Sequence, residues 1–259
     1  MSPRKTIDVL TPRGNPATLF YREDTSDLST IGSTWNLWGQ LDDEYGLGTL
    51  PDLTGVAVDI GAHVGSVALA LLADHPDLEV IAVEPLRENV ELIAASARHN
   101  GWMDRLTLVS GGIADGPTTD IDYDFAGEDY IRNHRFIGGM AAGSEVPHKT
   151  VTVPGVSLSG LLGDRECELL KVDCEGCEWA LLADPAIARV RRIVGEGHPA
   201  DWLPRVHAAL DATHTVHVID DRGGPGTFRA ILTSPDDDAF AAAKAGIEAM
   251  NRPAWRWER

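Results

Sequence analysis

The chain has 259 residues, 43% of them hydrophobic and 24% charged, the composition of an ordinary globular protein long enough to bury a core without disulfides or a structural metal. Its 22 Lys and Arg against 40 Asp and Glu leave a net charge of −18, a field that repels phosphate backbones and anionic lipid and so argues against nucleic acid and membrane as partners. The longest unbroken apolar run, 67–73, falls well short of the roughly 20 residues of a bilayer span; the basic N-terminus lacks a secretory apolar stretch, and the sparse cysteines, Cys167, Cys174 and Cys177, suit a reducing cytoplasm.

Residues 1–50 carry little periodicity but hold Trp35, Trp38 and the acids Asp42, Asp43 and Glu44 beside Tyr45. They are read as a cap that gates a substrate, preceding one large domain over 51–259. From Val56 short apolar runs alternate with helical stretches, the pattern of a parallel sheet with crossover helices. Val56–Ile60 predicts a strand, 61–65 a tight turn, and Ser66–Ala73 a helix stopped near Pro76. Glu79–Val83 is the next strand, Leu86–Asn100 a helix closed by Gly101, and Leu106–Val109 a third strand.

The stretch 115–150 breaks this rhythm, being polar and aromatic with a Gly-Gly pair, and is read as a long loop insertion. Strands resume at Leu169–Val172 and Ile193–Val194 with a helix between them. Thr215–Ile219 and Phe228–Leu232 read as an antiparallel pair across the turn-rich 221–226, and Phe240–Met250 as an alanine-rich helix.

In the first unit Asp59 ends a strand and Gly61 and Gly65 bracket a turn into a helix, where a backbone without Cβ can bend sharply and let a ligand close. Glu84 ends the next strand, placed to accept hydrogen bonds from both hydroxyls of a ribose. The competing reading is a packing turn with Glu84 capping the following helix. A phosphate-binding loop is excluded by the missing Gly-Lys-Ser/Thr, and a dinucleotide loop is disfavoured because Gly61-Ala62-His63-Val64-Gly65 lacks the third glycine. None of the four tyrosines has Lys four residues on, which lowers a short-chain dehydrogenase.

VDIGAHVGSVALAL, VIAVEPLRENVELIAASARHNG and LLKVDCEGCEWALL followed by IVGEGHP resemble the FkbM-type family of S-adenosylmethionine-dependent methyltransferases, over about residues 56–200. The segment Leu-Lys-x-Asp-x-Glu-Gly-x-Glu is the most specific of these. The resemblance implies a Rossmann-like class I methyltransferase fold: α/β, with a seven-stranded, mostly parallel sheet and an antiparallel terminal hairpin. It implies that Asp59, Gly61, Ala62, His63 and Gly65 hold the methionine end of S-adenosylmethionine, Glu84 with Pro85 the ribose, and Gly112, Ile113 and Ala114 the adenine. His63 stands where the family commonly has Asn.

Methyl transfer from a sulfonium is an in-line displacement, so a protein chiefly aligns the nucleophile and removes its proton. Lys171, Asp173, Glu175, Glu178, Glu196 and His198 lie at the ends of the fourth and fifth strands, and Asp173, Glu196 and His198 are the catalytic candidates. His198 suits a general base; alternatively the three side chains coordinate Mg²⁺, which would acidify a hydroxyl. A plain ion pair of Lys171 with Glu178 is the structural alternative. Cys174-x-x-Cys177 is read as small-residue packing, since a zinc site needs four ligands. Aromatics of the cap and of the insertion, including Tyr21, Tyr123, Phe125, Tyr130 and Phe136, with interspersed acids such as Asp122, Asp124, Glu128 and Asp129, suit a small, cationic acceptor such as an amino sugar. The expected activity is methylation of a hydroxyl or amine, with homo-oligomerisation left open; a nicotinamide-dependent oxidoreductase and a catalytically silent binding module are the alternatives.

Overall fold

The computed structural model describes residues 4–23, 25–124, 148–174, 176–197, 202–221 and 228–233. The helix expected at 240–250, His198, Glu175, the turn 222–227 and the centre of the 115–150 segment lie outside the described residues.

The N-terminal segment is more regular than its sequence suggests. β1 (Arg4–Leu10) and β2 (Pro16–Arg22) form an antiparallel hairpin, followed by the short helix α1 (Asp27–Gly32). The next elements run in the expected order: β3 (Gly55–Ile60), α2 (Ser66–Asp74), β4 (Leu78–Val83), α3 (Arg87–Asn100) and β5 (Leu106–Val109). Gly101 ends α3 in the left-handed region at φ 77°, and the Trp102 N–H closes on the Ala97 carbonyl at 2.8 Å, a Schellman-type stop.

The 115–150 segment is not simply a loop. β6 (Gly112–Ile113), β7 (Thr118–Asp124) and β8 (His148–Val156) make a small three-stranded sheet in the order β6-β8-β7. Its strands were hidden because only one face is buried: Ile121 and Val153 point inward while polar threonines and aspartates alternate with them, so no apolar run marks the strand.

After α4 (Leu158–Leu162) come β9 (Leu169–Val172), α5 (Glu178–Leu182), β10 (Arg192–Gly195), α6 (Trp202–Leu210), β11 (Thr215–Asp221) and β12 (Phe228–Thr233). The main sheet has seven strands in the order β11-β12-β10-β9-β3-β4-β5. Its pairs from β10 through β5 are parallel, and β12 runs antiparallel to both β10 and β11. The strand order reverses direction between β3 and β9, and in such sheets the crevice at that switch, beyond the carboxyl ends, is where ligands bind.

The period-two alternation of the central strands divides the core. Ala57, Val80, Ala82 and Leu169 face one layer with α2, α3 and the N-terminal segment, whereas Val58, Ile60, Ile81, Leu170 and Val172 face the other with α4, α5 and α6. Helix α2 is buried almost all round because it is covered twice, by the sheet and by the N-terminal segment, whose Trp35 Nε1 donates to the Ser66 carbonyl at 2.8 Å. The hairpin is tied to α3 as well: the β2 N–H groups of Thr18 and Phe20 donate to Asn100 and Ser96. Among the described residues no helix is long and apolar enough to cross a membrane.

Candidate active site

A cavity of about 640 Å³ opens at the carboxyl ends of β3, β4, β9 and β10. It is roofed by α1 and residues 44–45 on one side and by the small sheet on the other.

One end is built from the turn after β3. Gly61 has φ +75°, and a Cβ there would lie 1.8 Å from the Asp173 carbonyl oxygen, so the close approach of β3 to β9 admits only glycine. Gly65 opens α2 at φ 85° and packs on Ile93 and Leu69 rather than on the cavity. Asp59 lies beneath the wall, fully buried. Its Oδ2 accepts the Ala68 N–H of the first turn of α2 at 3.0 Å, and its Oδ1 sits 3.3 Å from Lys171 Nζ. A carboxylate at a helix N-terminus satisfies an orphan N–H and complements the helix dipole.

Ala62, His63, Glu84, Pro85, Gly112 and Ile113 line the same cavity; Ala114 is not among its lining residues, and its N–H donates to the Val156 carbonyl. Glu84 is buried, and its Oε2 accepts the His63 N–H at 2.8 Å while Oε1 accepts the Leu86 N–H at 2.9 Å and Asn89 Nδ2 at 3.2 Å. A carboxylate offers about four lone-pair sites, so roughly one remains for a further donor. Burial raises the Glu84 carboxyl to about 7, against the pull of those three bonds and of Lys171. His63 adopts φ 50°, a left-handed conformation that Asn also tolerates, and burial pushes its imidazole down to about 4, leaving it neutral.

The other end gathers carboxyl groups. Tyr45 donates its hydroxyl to Asp173 Oδ2 at 2.8 Å, and its ring lies under Lys171 Nζ, 5.6 Å from the centroid. Lys171 also donates to the Gly61 carbonyl at 2.9 Å, which ties β9 to the glycine turn. Burial works against the lysine charge, but Asp59, Asp173 and Glu196 outweigh it and hold the ammonium above its ordinary value. Lys171 therefore pairs with Asp59 at 3.3 Å and Asp173 at 3.9 Å. Glu178 instead accepts the Cys174 and Gly176 N–H groups.

Glu196 follows β10 and hydrogen-bonds Glu44 of the N-terminal segment. Burial first, then the Asp173 charge and the Glu44 contact, lift its carboxyl to about 10. Asp173 and Glu196 both line this cavity, and His198 lies outside the described residues. Among the described residues no three metal-ligating side chains converge in a metal-binding arrangement.

Three features were not foreseen. Ser26, Ser29, Thr30 and Ser33 set a hydroxyl stripe of α1 and its flanks along the cavity, a spacing of i, i+3, i+4, i+7 that the sequence displays once α1 is recognised. Asn89 braces Glu84 from within α3, where no motif marks it. Cys174 and Cys177, expected to pack as small residues, are joined in a disulfide: the turn from β9 into α5 brings their Cα atoms to 5.5 Å, and both line the cavity.

The sheet order, the glycine turn and the acid at the end of β4 together define a class I methyltransferase fold. Residues 59–220, more than half of the chain, match the Methyltransferase FkbM domain, and the chain belongs to that family. The fold is shared with methyltransferase FkbM from Methylobacillus flagellatus KT, at a TM-score of 0.50 and 15% identity over 69% of this chain and 43% of that one. Precorrin-6y C5,15-methyltransferase from Geobacter metallireducens GS-15 aligns at a TM-score of 0.45 and 14% identity, covering 76% of this chain and 90% of that one. The release factor glutamine methyltransferase of Escherichia coli (strain K12) is 34% identical over 85 residues, 33% of this chain; the chain spans about a quarter of the length of the curated relatives it matches, 26% in this case. The family match begins at Asp59, so the hairpin, α1, Glu44 and Tyr45 lie outside it.

Proposed function

We propose that the protein transfers the methyl group of S-adenosylmethionine to a nitrogen of a small cationic molecule. The observation that carries this reading is the polarity of a single cavity, with Glu84 and the glycine turn at one end and Glu44, Asp173 and Glu196 at the other. The residues present fit the cofactor. About 640 Å³ lies within the roughly 300–1,000 Å³ of small-molecule sites, and Gly61, Ala62, Gly111 and Gly112 bring backbone to the cavity without large side chains.

In this reading the Glu84 carboxylate accepts a ribose hydroxyl, and the Lys171 bond to the Gly61 carbonyl fixes the turn against β9. The bound cofactor supplies an electrophilic methyl on a sulfonium. Asp173, steadied by the Tyr45 hydroxyl, takes up the proton that an ammonium nitrogen must shed before attacking, while Glu196, already holding its proton against Glu44, supplies a hydrogen-bonding wall beside it. The cofactor would give up that methyl and leave as a thioether, so the chain's own residues need only hold it, orient the nitrogen and receive the proton. Tyr45 stays a neutral donor throughout, because burial and the surrounding carboxylates push its phenol well above its ordinary value.

A hydroxyl acceptor is the second reading. It is favoured by the hydroxyl stripe of α1, which offers partners to a sugar. Calorimetric titration discriminates the cofactor classes: S-adenosylhomocysteine binding at micromolar concentration with none for NADH is expected, and the reverse selects an oxidoreductase. Glu84→Ala should weaken S-adenosylhomocysteine by about 1.5–3 kcal/mol, the worth of hydrogen bonds to a charged group. Methyl-labelled cofactor incubated with matched amines and alcohols, read by mass spectrometry, separates the acceptors; label on alcohols alone overturns the amine assignment, and label on neither selects a silent binding module.

A further inference from the structure

Asn89 is 1% exposed and stands between a group that only donates and one that only accepts. Its Oδ1 accepts from Arg22 Nη2 at 2.7 Å, and its Nδ2 donates to Glu84 Oε1 at 3.2 Å. A guanidinium only donates and a carboxylate only accepts, so the amide is fixed in one orientation by its neighbours. Arg22 is fixed in turn: Nε and Nη2 reach the two oxygens of Asp27 at 2.9 and 2.7 Å, and the Arg22 N–H adds a third bond at 2.8 Å. Asp27 is fully buried and lies 3.9 Å from His63 Nε2, and the His63 N–H holds the other oxygen of Glu84. The chain of contacts is a closed ring: Glu84, Asn89, Arg22, Asp27, His63, Glu84.

Three buried polar side chains around one carboxylate are a poor way to gain stability, because apolar replacements of similar volume often do as well. The arrangement does fix the Glu84 carboxylate plane. It also spends the Arg22 charge on Asp27, so Glu84 meets a neutral amide. We propose that Asn89, locked by Arg22 and Asp27, is a positioning residue that holds Glu84 for the cofactor ribose, so that the N-terminal segment outside the family match takes part in cofactor binding. This rests on the reading that Glu84 receives the ribose.

The titratable and charged groups around Glu84 are His63 on the turn after β3, Lys171 on β9, Arg22 on β2 and Asp27 on α1. His63 is neutral above about 4 and Lys171 stays charged, which leaves Glu84 itself to titrate near neutrality. The Asn89 bond pulls the carboxyl down, so its loss moves the titration upward.

The test is calorimetric titration of the full chain with S-adenosylhomocysteine between about pH 5.5 and 9, a span that brackets the Glu84 carboxyl. Wild type should lose affinity as the solution is acidified through neutrality. Asn89→Ala should lose it about one pH unit earlier, binding about fivefold more weakly at pH 7 and recovering toward pH 9. In a Glu84→Gln background Asn89→Ala should change affinity by less than about twofold, since a residue acting through Glu84 has nothing left to act on. An unshifted pH midpoint for Asn89→Ala, or a loss that persists in the Glu84→Gln background, overturns the proposal while leaving the cofactor reading intact. If Asn89→Ala does not fold, Arg22→Met, which frees the Asn89 carbonyl, should shift the midpoint in the same direction, and no shift overturns the proposal equally. A wild type that binds no S-adenosylhomocysteine at any pH overturns both readings.

Discussion

At the glycine-turn end of the cavity the working groups come from one strand, one turn and the end of the next strand, Gly61 to Glu84, and most of their hydrogen bonds are made with nearby backbone. At the opposite end Tyr45 and Asp173 meet across 128 residues, and Glu196 finds Glu44 from a segment on the far side of the fold. The first end is mostly local, with Asn89 and, behind it, Arg22 as its long-range braces. The second exists only when the N-terminal segment is docked, with Asp173 held by Tyr45 and Lys171 and Glu196 by Glu44.

That contrast can be broken at the residue that joins the two ends. Lys171→Met leaves Asp59 buried without its cation and unties the glycine turn, and should cost about 3–5 kcal/mol in urea unfolding. A cost below about 1 kcal/mol would mean that Asp59 is neutral in the folded protein. A pH series sharpens the same comparison. The Glu196 carboxyl is raised from its ordinary value to about 10, so the folded state keeps a proton that the unfolded chain has lost. Stability should therefore fall as pH rises from neutrality toward 10, at up to about 1.4 kcal/mol per pH unit. Glu196→Gln should flatten that limb, and an identical slope would remove the carboxyl pair from the account.

Gly61→Ala tests the local end alone. A Cβ 1.8 Å from the Asp173 carbonyl, on a backbone at φ +75°, should cost about 3 kcal/mol and lower S-adenosylhomocysteine affinity with it. Unaltered thermal unfolding would contradict the close approach of β3 to β9. The smallest effect is expected from the Cys174–Cys177 disulfide. It closes so short a loop that its reduction should cost only about 2 kcal/mol by the loop-entropy relation. Thiol counting before and after dithiothreitol, combined with urea unfolding, measures it, and two reactive thiols in the untreated protein would show the pair to be reduced.

How far the sequence foretold the molecule follows the same division. The strands β3, β4, β5 and β9, the turn at 61–65 and the stop at Gly101 were legible because each is a local pattern: an apolar run, a glycine where φ is positive, a left-handed cap. The hairpin of residues 4–22 and the strands at 118–124 and 148–156 were not, since each buries one face and mixes Thr, Asp and Lys into the alternation. Asp173 and Glu196 could be picked out as carboxylates at strand ends, but their pairing with Tyr45 and Glu44 has no local signal at all. Asp59 reads as a ligand-binding acid by its position, yet it is spent on the head of α2 and on Lys171, a use that only packing reveals.

The central claim is that one cavity holds the methyl donor between Glu84 and the carboxylates of Asp173 and Glu196. A crystal structure of the protein soaked with S-adenosylhomocysteine tests it most directly. The account predicts a ribose hydroxyl on Glu84 Oε2, the adenine against Gly112 and Ile113, and the sulfur directed toward Asp173. A ligand seated elsewhere, or one with its ribose away from Glu84, would contradict it.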